Sequence, residues 1–168
     1  DKNETVSVKT EACVALSKLV KKGQRDVIKL LCKHLDKNEL IKYIADALVV
    51  IAADDDEDVW SGFLKLKNHP DPGTIEKAVS CLGKVAGKGN KTVIAELLEM
   101  FNTSSYETVR IEAADSLAMI AQEDDTKVIE SLKDTAITKS VPEYIRTACL
   151  RSLGCIITSR TNEAVSSA

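Results

Sequence analysis

The sequence predicts an all-α chain, a solenoid of about four and a half stacked helical hairpins. Five leucine-anchored stripes recur at near-constant spacing, and a second helical segment follows each of the first four. Seven glycines and three prolines leave little turn material for hairpins of a sheet. The anchors are Leu16, Leu48, Leu82, Leu117 and Leu153, at intervals of 32, 34, 35 and 36 residues. Four residues before each stands Ala12, Ile44, Ala78, Ala113 or Cys149, and three after it Leu19, Ile51, Val85, Ile120 or Ile156. Such spacing lines up one apolar stripe on a helix. A helical pair cannot cover its stripe alone, so neighbours stack.

Each unit reads as a helix A, a turn, a helix B and a link. The A helices lie in "VKTEACVALSKLV" from Val8, "IKYIADALVVIA" from Ile41, "IEKAVSCLGKVA" from Ile75, "VRIEAADSLAMIA" from Val109 and "IRTACLRSLGCII" from Ile145. The B helices carry "DVIKLL" from Asp26, "DVWSGF" from Asp58, "TVIAEL" from Thr92 and "KVIESL" from Lys127. They are expected to begin just after the equivalent positions Gln24, Asp56, Asn90, Asp125 and Thr161, most of which can cap a helix with a side-chain oxygen. Gly23 and Gly89 are expected to stop the first and third A helices. Asp71-Pro72-Gly73-Thr74 is expected to break the chain before the third unit. Ser140 to Glu143 has capping-box spacing, with Pro142 in the first turn. The repeats fall near 4–36, 38–68, 72–102, 105–139 and 142–168, in one domain spanning 1–168. The fifth B segment, "TNEAVSSA", is short, and the first A helix has no polar outer face. With Asp1 in place of a methionine, the sequence is expected to be a fragment of a longer array.

Composition narrows the function classes. The chain has 168 residues, 44% of them apolar and 29% charged, and only 4% aromatic, so its core is aliphatic. A net charge of −3 argues against a nucleic-acid binder, which shows a basic excess or stripe. No apolar run approaches the about 20 residues of a membrane span, and no signal peptide opens the chain. Cys13, Cys32, Cys81, Cys149 and Cys155 form no C-x-x-C pair. They read as reduced, mostly buried thiols of an intracellular, cytoplasmic protein.

The repeated pattern resembles the HEAT repeat in its short form. "ETVRIEAADSLAMIA" (Glu107 to Ala121) is similar to that family's sequence of Val-Arg, a small pair, then Ala or Ser-Leu. The resemblance spans about residues 4–165. It implies a right-handed α-solenoid of the armadillo-like helical superfamily, whose B helices line a concave binding face. Tetratricopeptide units have a similar period, but their Trp/Leu-Gly/Tyr pattern is missing from these A helices, and Trp60 falls in a B helix.

Some proteins of this architecture are enzymes. A di-iron hydroxylase needs paired His-Glu motifs, and neither His34 nor His69 is followed by Glu. No Cys/His cluster has zinc spacing, and no Gly-rich phosphate loop is present. No metal and no cofactor are therefore expected. His34 reads as a helix-end residue and His69 as a turn residue.

The acidic run Asp54 to Asp58 lacks the glycine and glutamate of a calcium loop. In register, Asp56 is a cap, and Glu57 and Asp58 sit in a first helical turn, where negative charge suits the helix dipole. Asp54 shares a column with Lys22, Lys88 and Glu123, and Glu57 one with Arg25, Lys91 and Thr126. The alternating signs predict a charge ladder along this edge, which would also oppose slippage by one repeat. Trp60 aligns with Ile28, Ile94 and Ile129. It reads either as core or as an exposed anchor for a partner.

Outward B-helix positions are the candidate binding face. They are Lys29 and Lys33, then Ser61 and Lys65, then Ala95, Glu96 and Glu99, then Glu130 and Asp134, running from basic to acidic. The expected function is a non-catalytic protein–protein interaction scaffold, with no nucleic-acid, membrane or metal partner. The alternative is a HEAT-scaffold enzyme or enzyme subunit, hydroxylase- or lyase-like, whose active residues lie outside this sequence.

Overall fold

Stacked helical hairpins bury one aliphatic stripe after another. The structure, a computed structural model, describes residues 2–35 and 40–166, and the side chains of 7–35 and 40–158. The repeat boundary expected at 36–38 and the end at 168 lie outside the described residues. Among the described residues there are nine α-helices and no strand. The chain divides into two compact units, Asp1–Ala86 and Gly87–Ala168.

The first unit holds α1 (Lys2–Leu19), α2 (Arg25–Lys33), α3 (Ile41–Ile51), α4 (Glu57–Leu64) and α5 (Pro72–Val85), with a 3₁₀ turn Lys65–Asn68 after α4. Here α1 packs on α3, α3 on α5, and α2 and α4 on each other and on this layer. The second unit holds α6 (Lys91–Thr103), α7 (Glu107–Ile120), α8 (Thr126–Ile137) and α9 (Glu143–Ser166). In it α6 packs on α7, while α7 and α8 both pack on α9. The A helices are thus α1, α3, α5, α7 and α9.

The three central anchors and most of the flanking positions form the core, while the anchors Leu16 and Leu153 are half-buried. Leu48, Leu82 and Leu117 are buried, as are Ile44, Ala78, Ala113 and Cys149 before the anchors and Ile51, Val85, Ile120 and Ile156 after them. The first stripe departs from this pattern. Ala12 is exposed and Leu19 is 84% exposed, because the face of α1 that carries them packs against no described element.

The B helices begin where the register puts them, after Gln24, Asp56, Asn90 and Asp125. Asn90 caps α6 by accepting from the Val93 amide at 3.0 Å. Asp56 holds the cap position in extended backbone, but its side chain makes no cap bond. No helix starts after Thr161, since α9 runs unbroken from Glu143 to Ser166; the Thr161 side chain lies outside the described residues. The expected break before the third unit is shorter than the sequence suggests. Asp71 itself caps α5, accepting from the amide and the hydroxyl of Thr74 at 2.9 and 2.7 Å, with Pro72 already helical. Pro72 suits that first position because it has no amide to leave unpaired.

Gly23 and Gly89 do not end their helices. α1 stops at Leu19 and α5 at Val85. Each glycine instead takes the third place of a four-residue turn, closed by Gln24 N–H to Lys21 C=O at 3.2 Å or Asn90 N–H to Gly87 C=O at 3.0 Å. Their φ values, +80° and +82°, are the left-handed ones that such a turn can require there.

Candidate functional site

A groove of about 570 Å³ lies on the second unit between α6 and the start of α8. The helical period of α6 brings Lys91, Ile94, Ala95, Leu98, Glu99 and Asn102 to it, and the turn into α8 brings Asp124 to Val128. Ile94 and Val128 are buried and Leu98 half-buried, which gives the groove an apolar floor. Its rim is polar.

Asp125 organises one wall. Its carboxylate accepts from the Gln122 amide at 2.7 Å, which fixes the turn, and from Lys91 Nζ at 2.7 Å, which links two successive hairpins. The Asp125 side chain is only 10% exposed, so it is better shielded than the carboxylates of the other ion pairs described. The hydrogen bond that the Lys91 ammonium donates to Asp125 raises the pKa of Lys91 above its ordinary value. Further along α6, Ser131 Oγ donates to Asn102 Oδ1 at 2.8 Å, bridging α8 to α6.

The structure distributes the sequence-predicted face over both units. Lys29, Lys33 and Lys65 are exposed on the first unit, and Ser61 is half-buried there. Ala95, Glu99, Glu130 and Asp134 are exposed on the second. The groove gathers Ala95 and Glu99, whereas Glu130 and Asp134 lie elsewhere on α8. Sequence reasoning missed Lys91, Leu98, Asn102 and the turn 124–128. An apolar Leu98 four residues after Ile94, directly beside the stripe residue Leu97, was the available clue. Trp60 is half-buried, with its indole N–H buried and no acceptor among the described residues. It is therefore neither a sealed core residue nor a freely presented anchor.

Chemistry of the remaining groups is muted. Burial pushes the thiols of Cys32 and Cys149 up to about 11, so both stay protonated near neutrality. The carboxylates of Asp56 and Asp58 add to the effect at Cys32. His34 caps the end of α2, and His69 follows the 3₁₀ turn, its Nδ1 accepting from the Asp71 amide at 3.1 Å. Among the described residues no three His, Cys, Asp or Glu side chains are grouped to hold a metal ion.

A family model described as HEAT repeats matches residues 60–154. The chain belongs to the HEAT-repeat family. Its match covers α5 to α8 and parts of α4 and α9. No curated protein matches the chain. Within this family assignment, the turn linkages and buried stripes described above are the repeat's own architecture. No helix among the described residues is long and apolar enough to cross a membrane.

Proposed function

We propose that this HEAT-repeat chain is a non-catalytic scaffold that binds a protein partner through the outward side of its B helices. One observation carries the reading: the α6–α8 groove combines an apolar floor, Ile94 and Leu98, with a polar rim held by the Lys91–Asp125 pair. Pockets that bind through apolar contact and orient through a few fixed polar groups have this makeup. Lys29, Lys33, Ser61 and Lys65 extend the proposed face on the first unit, and Glu130 and Asp134 on the second. All five cysteines are free, which suits a reducing, cytoplasmic setting.

A photo-crosslinking residue at Ala95 tests the proposal, with Lys84, exposed on an A helix, as the control position. In an extract, the probe at Ala95 is expected to capture a defined protein that the probe at Lys84 does not. Adding Leu98→Glu should suppress that capture. Equal labelling from both positions, or capture indifferent to Leu98→Glu, would remove the groove from consideration.

A further inference from the structure

The negative charge of the α6–α8 surface exceeds what its fold requires. Helices α6 and α8, with the turn 122–125, carry seven acids and three bases, a net charge of −4. The whole chain carries −3, so the rest of the sequence is net positive. Helix dipoles account only for the acids of the turn, which precede the start of α8. In α2 the charges suit the dipole, with Asp26 in the first turn and Lys33 in the last. In α6 and α8 no acid stands in the first turn and no base in the last. Their acids come further along, Glu96 and Glu99 on α6 and Glu130 and Asp134 on α8. Of the acids on this surface, Asp124, Glu130 and Asp134 are exposed and join none of the ion pairs described.

The groove sets this charge around an apolar stretch of definite length. Polar bridges mark its two ends, Lys91 to Asp125 at one and Asn102 to Ser131 at the other. Lys91 and Asn102 lie about 16 Å apart along α6. Between them the half-buried Leu98 and the exposed Ala95 lie beside the buried Ile94 and Val128. A carboxylate flanks that stretch on each side, Asp124 next to the Lys91–Asp125 bridge and Glu99 toward Asn102. Lys127 is the other cation of the lining. A nucleic-acid backbone would be repelled here. A divalent metal would need carboxylates grouped to hold it, and among the described residues no three are. A polyamine would match the charge but leave Leu98 uncovered.

We infer that the groove takes a basic amphipathic segment of a protein partner, with one Leu- or Phe-sized side chain seated on Leu98 and a lysine or arginine on either side of it. This rests on the reading of the groove as a protein-binding face and adds the chemistry of the partner. The apolar contact supplies affinity, while the opposite charges steer the encounter and fix how the segment lies.

A phage-displayed library of random peptides, about twelve residues long to span the groove, is selected on the immobilised full chain. Enriched peptides are expected to be net positive, with an apolar residue between lysines or arginines. The strongest of them, resynthesised, is then titrated against three variants whose helicity is first checked by circular dichroism. Leu98→Ala, which changes no charge, should weaken binding about 10-fold. Asp124→Lys and Glu99→Lys should each weaken it about 3- to 10-fold at low salt and less at high salt. Peptides that need Leu98 but are acidic or neutral, or that ignore both charge reversals, overturn the basic partner and leave the groove as a protein-binding face. Basic peptides bound equally well by Leu98→Ala also overturn the inference, since charge alone then holds them. If no peptide of any charge depends on Leu98, the reading of the groove as a protein-binding face falls too. Self-association of the wild-type chain that Leu98→Ala abolishes would overturn the inference in favour of a second copy.

Discussion

The amide of Gly89 donates to the carbonyl of Ile120 at 2.7 Å, tying the turn of one hairpin to the end of the next hairpin's A helix. Gly23 makes the equivalent bond to Ile51, also at 2.7 Å. Both glycines stand seven residues after their anchor leucines. At the same offset after Leu48 stands Asp55, with φ +57°, so a non-glycine residue takes the left-handed conformation there. That accounts for one acid of the run without any ligand, since Asp tolerates this region better than most side chains.

Substitution at this column should follow backbone strain. Gly23→Ala and Gly89→Ala are each expected to cost about 1–2 kcal/mol in a denaturation experiment. The added methyl would lie 3.7 Å from Ala53 Cβ at position 23, an ordinary contact, so strain acts alone there. At position 89 it would lie 2.8 Å from Gln122 Cδ, an exposed side chain free to swing aside. Asp55→Gly should be neutral to within about 0.5 kcal/mol, because relieved strain is offset by the entropy of glycine. Asp55→Val should cost more than about 1 kcal/mol. Unchanged midpoints in both alanine variants would refute the shared role.

Gly62 should respond in the opposite sense. It lies inside α4 in ordinary helical backbone, and a methyl there would sit 3.6 Å from Cys32 Sγ and from Leu35 Cδ2. Those are normal packing distances, so Gly62→Ala should stabilise by about 0.5–1 kcal/mol through helix propensity. Gly62→Leu, matching the exposed Leu30 of the preceding hairpin, should destabilise by about 1–3 kcal/mol because position 62 is buried. Thermal melts of the two variants that shift in the same direction would contradict this account.

The register explains why so much of the fold was legible and why the groove was not. A leucine every 32 to 36 residues reports which side of a helix faces inward, and the starts of α2, α4, α6 and α8 follow from it. Side-chain bonding at those starts depends on neighbours that periodicity does not specify. Asn90 turns to its own helix, whereas Asp125, at the equivalent position, turns back to Gln122 and across to Lys91. The groove needs Leu98 from one hairpin and the turn 124–128 from the next, and the separation of two outward surfaces is a tertiary quantity. Trp60 was undecidable for a related reason: its aliphatic equivalents have no polar end to leave partly buried.

The charge ladder expected from sequence is realised in part, and its partners make a salt-dependent prediction. Lys22 and Asp54 pair at 2.7 Å between successive hairpins, as their column implies. In the neighbouring column Lys91 finds Asp125 rather than Thr126, one residue away from the expected match. Asp54→Lys sets two ammonium groups face to face at a well-solvated site, where repulsion is screened within about 10 Å at 0.1 M salt. Stability should therefore fall more at low salt than at high salt. A loss of equal size at both would point to something other than charge.

Asp71 should give the chain an acid-side dependence of its own. The hydrogen bond from the Thr74 hydroxyl, aided by the Thr74 amide, holds its carboxyl below its ordinary value of 3.8. A depressed folded pKa means that the ionised cap stabilises the folded state above the unfolded value and loses this effect as pH falls through the folded one. Asp71→Asn keeps an acceptor for the Thr74 amide but removes the titration. Its urea midpoint should lie below that of the wild-type chain at pH 7, and the gap should close as pH falls below about 3.8. Asp71→Ala, which leaves the helix end without a side-chain acceptor, should be the less stable of the two variants at pH 7. A wild-type-to-Asn gap that stays constant from pH 7 to pH 3 would show that geometry alone, and not the charge of Asp71, supports the start of α5.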